Sequence, residues 1–190
     1  MIDPISTWKS TMAALVPSTD PDAALTEFAK WVDERVTNKM SIVGVSKSDG
    51  TESNIFVFNK SIFETQLKAT CVPTTDVSAA ASKFADAWEQ AMLASTMAMT
   101  PGFYVNPPVA PTPATQWSVV TSLIDPLSIT AAKIILVADM TSSMPTSDPN
   151  NSGFPAAFRN AFVALKVNIV GMNSVTPTPT PLNMPGTPVA

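Results

Sequence analysis

Two carboxylates three residues apart, Asp86 and Glu89 in the stretch FADAWEQA, are the first groups to weigh for chemistry. A carboxylate pair can divide the work of glycosidic hydrolysis, one donating a proton while the other attacks or activates water, but only from facing positions across a cleft. A spacing of three on a helix puts both groups on one side of a single turn, so the pair reads as solvated surface. Asp33 and Glu34 read the same way, on the polar face of an amphipathic segment. The single cysteine, Cys71, lies in QLKATCVP. A reactive thiol needs a cationic neighbourhood that holds it as thiolate, and the chain has no histidine, so Cys71 reads as a structural thiol. The lack of histidine also removes Ser-His-Asp and Cys-His nucleophile systems and His-based zinc sites. Neither GxxxxGK[ST] nor GxGxxG is present to cradle phosphate. DPNNSG, at 148–153, offers oxygen ligands without the spacing of a calcium loop. No catalytic, cofactor-binding or metal-ligating residue is expected. An enzyme working with carboxylates alone is the remaining chemical alternative.

The composition points towards association. Hydrophobic residues make up 45% of the 190-residue chain, enough for a core, but charged residues only 14%, well below the usual quarter. A surface so poor in charge suits a protein that hides much of it against partners. The net charge is −4, and the eleven Lys and Arg residues are scattered. A basic footprint for phosphate is missing, so neither nucleic acid nor an anionic membrane is an expected partner. The N-terminal residues lack the charged start and apolar run of a signal peptide. The longest apolar stretch, AAKIILVA, is too short to span a bilayer. The expectation is a protein made and used on the aqueous side.

The elements that would carry these residues begin at Asp-Pro steps. Asp at a helix N-cap accepts an orphan N–H, and Pro at the first helical position has its φ preset. Helices are expected from Asp3-Pro4 to Leu15, from Asp20-Pro21 to about Thr37, and from Asp125-Pro126 to about Met140. The last reads as mostly buried, with a strand at Ile134–Val137 as the alternative. Asp76 caps a further helix expected to run to about Met99. A shorter one covers Lys60–Cys71. In SIVGVSKSDGTESNIFVFN, two β-prone runs flank Asp49-Gly50, the signal of a hairpin near 41–58. Residues 101–117 form a Pro-rich strap. The segment 117–124 is left open between helix and strand.

Two features near the C-terminus carry the interface expectation. Phe154, Phe158 and Phe162 recur every fourth residue of a last helix and make a packing ridge. Beyond it, Val175, Pro177, Pro179, Pro181, Leu182, Met184 and Val189 belong to a stretch too rich in proline for a helix or a central strand. Such a segment is held extended and loses little entropy on docking. It reads either as a disordered end or as an arm lying along a neighbouring subunit, and the retained apolar anchors favour the arm.

Few charges, abundant Ala, Thr, Ser and Pro, a lone cysteine and the ending AAFRNAFVALKVNIVGMNSVTPTPTPLNMPGTPVA together resemble small structural proteins of tailed-bacteriophage virions. The resemblance implies a part of a neck, tail, baseplate or capsid. It further implies assembly with copies of itself and other virion proteins, and residence in the virion after synthesis in the host cytoplasm. The alternative is a soluble adaptor whose Pro-rich tail is the ligand of a partner's groove. The expected fold is mainly α with a β-hairpin (α+β). It divides into a helical lobe at 1–100, the strap at 101–117, a second helical or mixed segment at 118–174, and the extended arm at 175–190.

Overall fold

The computed structural model describes residues 2–15, 18–43, 45–47, 54–71, 74–100, 103–105, 116–143, 153–173 and 180–189. Among them lie six helices: α1 (Ile5–Ala13), α2 (Pro21–Val36), α3 (Lys60–Thr70), α4 (Val77–Leu93), α5 (Pro126–Ser143) and α6 (Gly153–Val163). Seven strands accompany them: β1 (Ser46–Lys47), β2 (Asn54–Val57), β3 (Thr96–Met99), β4 (Phe103–Val105), β5 (Gln116–Ile124), β6 (Lys166–Asn173) and β7 (Thr180–Pro188). The fold is α+β, mainly helical with small antiparallel sheets. One five-stranded sheet has the order β1-β4-β5-β6-β7, and β2 pairs with β3 separately.

Local chemistry sets most helix starts. The carboxylates of Asp20, Asp76 and Asp125 accept the N–H groups of Asp22, Ala79 and Leu127 at 3.0, 3.0 and 3.2 Å. Asp3 departs from this pattern. Pro4 is the N-cap of α1 and no side chain caps it. The Asp3 carboxylate instead bridges Lys39 at 2.8 Å and Arg35 at 3.3 Å, tying the start of α1 to the end of α2. Two cations, Arg35 in the last turn of α2 and Lys39 just beyond it, draw the carboxylate away from a capping position.

The expected hairpin is a correction. The run before Asp49-Gly50 yields only the two-residue β1 and the run after it yields β2, and β1 pairs with β4 and β2 with β3 rather than with each other. Phe56 is fully buried on β2 and Met97 is buried opposite it on β3. The cross-strand pair that buries them outweighs the local turn signal. Asn54 then pins the chain before β1 through its side chain. Its Oδ1 accepts from the Ile42 N–H at 3.1 Å and its Nδ2 donates to the Met40 carbonyl at 2.8 Å.

The helix expected to reach Met99 stops at Leu93. The Ser95 hydroxyl donates to the Ala91 carbonyl and accepts from the Asn59 N–H at 2.9 Å, and the chain leaves as β3. Residues 117–124 form a strand. Met97 on β3 and Ser122 on β5 join the two sheets, the Ser122 hydroxyl donating to the Met97 carbonyl at 2.6 Å. A single core cluster takes buried residues from Ile2 to Val189, so the segments on either side of the strap share one interior rather than forming separate lobes. Of the strap expected at 101–117, residues 103–105 and 116–117 instead pair as parts of β4 and β5, and 101–102 and 106–115 lie outside the described residues.

The C-terminal stretch is the largest correction. Residues 180–188 are extended, but they dock on their own chain as β7, antiparallel to β6, with Pro181 opposite Met172, Leu182 opposite Gly171 and Met184 opposite Ile169. An edge strand tolerates prolines that a central strand would not. Gly186, at φ +66°, turns the backbone through a bulge that an L side chain would strain, and its N–H donates to Asn168 Oδ1 at 2.8 Å. The Pro188 carbonyl then accepts from the Val43 N–H at 2.9 Å.

Candidate functional site

The carboxylates singled out in the sequence have neighbours of their own. Lys133 on α5 reaches across to α4, 2.6 Å from Asp86 Oδ1 and 2.7 Å from Glu89 Oε2. Burial alone would lower its ammonium, but hydrogen bonds to the two carboxylates outweigh that and hold it above the ordinary lysine range. The Asp86/Glu89 pair is thus a clamp on a cation. Asp33 accepts from the Thr37 hydroxyl and Glu34 lies 3.7 Å from Arg35. Cys71 lines a cleft of about 350 Å³ with Leu25, Lys83 and Phe84. Burial pushes its thiol up, with a smaller opposing effect from Thr70, so it is protonated at neutral pH and a poor nucleophile. Among the described residues no three His, Cys, Asp or Glu side chains come together as a metal site. No described helix is long and apolar enough to cross a membrane. Asp148 to Ser152 fall outside the described residues.

Of the expected interface residues, the aromatic ridge faces inward. Phe158 and Phe162 are fully buried. Phe162 meets Trp8, Phe56, Phe58 and Trp88 with ring centroids 5.6–6.4 Å apart, and Phe154 packs on Phe28 and Phe84. With Phe63 on Phe158, seven aromatic side chains among the described residues surround this stripe and make it part of the chain's own core. Val189 is 2% exposed and bridges to Ile42, so it too is interior. Pro181, Leu182 and Met184 are placed by backbone pairing in β7. Val175, Pro177 and Pro179 lie outside the described residues.

A different surface emerges on α5, which the sequence marks as mostly buried. Ile129, Ala132, Leu136 and Met140 do face the core. The opposite side does not: Leu127 is 80% exposed and Ile134 66%, with Ile135 also exposed. Ala131, Ala138 and Ser142 continue the same stripe in the open, since spacings of three and four lie on one face. An ordinary surface helix carries its charges there. The two charged residues of α5 sit instead on its flanks: Lys133 is held by Asp86 and Glu89 of α4, and Asp139 accepts from Asn160 Nδ2 of α6 at 3.0 Å. Both are spent on locking α5 between its neighbours, which leaves an outward face without charge along 18 residues, or about 27 Å.

Two further large apolar residues stand in water on the neighbouring elements. Lys133 meets Asp86 and Glu89, and β3, which follows α4, touches β5, which precedes α5. The C-terminal end of α4 therefore lies beside the N-terminal end of α5. Leu93, the last residue of α4, and Leu123, in β5, are also exposed, at 56% and 67%. The signal was present in the sequence: a long apolar helix with only Lys133 and Asp139 charged. Only the contacts of those two residues say which face stays bare.

No family model, no curated protein and no solved structure matches this chain. Function is therefore argued from the surface itself.

Proposed function

We propose that this protein is a non-enzymatic building block of a multi-subunit particle, of the kind found in the neck, tail, baseplate or capsid of a tailed-phage virion, and that it acts by burying surface against neighbouring subunits. The observation that carries this reading is the uncharged outward face of α5, where Leu127 and Ile134 stand in water. A contiguous apolar face rimmed by charges tied up elsewhere is a mark of interaction surfaces. The low overall charge supports it, because a chain with 14% charged residues has few groups with which to keep such a face solvated. The engaged state of Asp86 and Glu89 and the raised Cys71 pKa support a role without catalysis.

The test is mass in solution followed by incorporation. Sedimentation of the purified chain, and of particles assembled with and without Leu127→Ser, should show the variant folded but depleted from particles. Full incorporation of Leu127→Ser would refute the reading.

A further inference from the structure

We propose that the outward face of α5 is a self-recognition surface: it packs antiparallel against α5 of a second copy, about a two-fold axis between Ile134 and Ile135. This rests on the reading of α5 as an assembly face and names its occupant.

The first support is the order of side-chain sizes along the stripe. The stripe reads Leu127, Ala131, Ile134, Ile135, Ala138, Ser142: its interior is symmetric in size, and only its ends differ, leucine at one and serine at the other. A two-fold axis at that point brings position 127 of one copy to 142 of the other, 131 to 138, and 134 to 135. Leu127 then fills the space above Ser142, the two alanine pairs let the backbones approach, and the isoleucines interlock at the centre. Such an interface is isologous, with each contact made twice. In a parallel pairing Leu127 meets Leu127 and Ser142 meets Ser142, which wedges the helices apart at the leucine end.

Charge is the second support. A partner of another kind that recognised this face through charge would find none to pair with, whereas two copies present apolar surface to apolar surface without repulsion. Interfaces between like subunits are the more apolar class. A lipid surface fits less well, because helices that lie in membrane interfaces carry Lys and Arg along their polar border, and the one cation of α5, Lys133, is already held by Asp86 and Glu89.

Extent is the third. A helix about 27 Å long and about 10 Å wide supplies less than the roughly 800 Å² per partner of a standard stable interface. The pair should therefore be concentration-dependent, dissociating on dilution through roughly the micromolar range, and be reinforced where other contacts of a particle hold copies together.

The experiment is sedimentation equilibrium of the full chain and of Ile134→Glu, with thermal melts of both and disulfide trapping in a Cys71→Ser background. A reversible dimer is expected for the wild type. Ile134→Glu, at a position already in water, should melt within about 2 °C of wild type and weaken dimerisation at least tenfold. The double variant Ala131→Cys/Ala138→Cys should trap covalent dimers and Ala131→Cys alone should not. A wild type that stays monomeric at high concentration, a dimer indifferent to Ile134→Glu, or trapping by Ala131→Cys alone would each overturn the proposal. So would co-sedimentation of monomer with uncharged phospholipid vesicles. A monomeric wild type whose Leu127→Ser variant is still lost from particles would overturn self-recognition while leaving the building-block reading intact.

Discussion

Replacing Val189 by Ala tests whether the proline-rich end belongs to the fold. Val189 is 2% exposed, next to Ile42, and its N–H donates to the Leu165 carbonyl at 3.4 Å. The substitution removes two buried methyl groups, about 1.6 kcal/mol at 0.8 kcal/mol per carbon. The space left behind is only partly refilled, which raises the cost to about 2 kcal/mol. For a chain of this length each kcal/mol shifts Tm by about 2–4 °C, so a fall of about 4–8 °C is expected. A reversible melt followed by circular dichroism reads it. Urea titration should show a lower midpoint with unchanged slope, the sign of lost stability without a change of unfolded state. Were residue 189 on an arm reaching for a neighbour, the monomer would register a surface substitution, worth no more than about 0.5 kcal/mol. A Tm within about 1 °C of wild type would refute the intramolecular docking of β7.

Phe162→Ala opens the centre of the aromatic cluster and should cost about 3–5 kcal/mol, a large part of the roughly 5–15 kcal/mol that holds a domain together; a urea midpoint unchanged by it would contradict the inward ridge. Lys133→Met should cost about 1 kcal/mol at neutral pH, since the clamped pair is part-buried. The ammonium is raised on folding, so its contribution is fully present below the unfolded lysine pKa of about 10.4 and is lost as pH rises through the higher folded value. Denaturant midpoints of wild type and Lys133→Met should accordingly differ at pH 8 and draw together as pH rises beyond the ordinary lysine range, and a gap that stays constant would sink the clamp.

The chain states plainly those features that act within a turn or two of backbone. Asp20, Asp76 and Asp125 announce three helix starts because a carboxylate and an N–H two or three residues on need nothing else. The Phe154–Phe158–Phe162 stripe likewise guarantees a packing ridge wherever the helix goes. The poverty of charge and the absence of histidine exclude whole classes of chemistry by composition alone. Partner choice is another matter. Asp49-Gly50 favours a hairpin locally, but burial of Phe56 and Met97 across some forty residues of chain sends its two arms to different sheets. The prolines after residue 175 require an extended path, and that is what β7 takes; only the free edge of β6, and the pocket waiting for Val189 beside Ile42, decide that the path returns to its own subunit. For α5 the sequence supplies an apolar helix with two charges, and the tertiary structure, by engaging Lys133 on α4 and Asp139 on α6, determines which side remains open to a partner. Capping and periodicity are short-range and are written in neighbouring residues; burial is a competition among distant segments, and its outcome exists only once all of them have been placed.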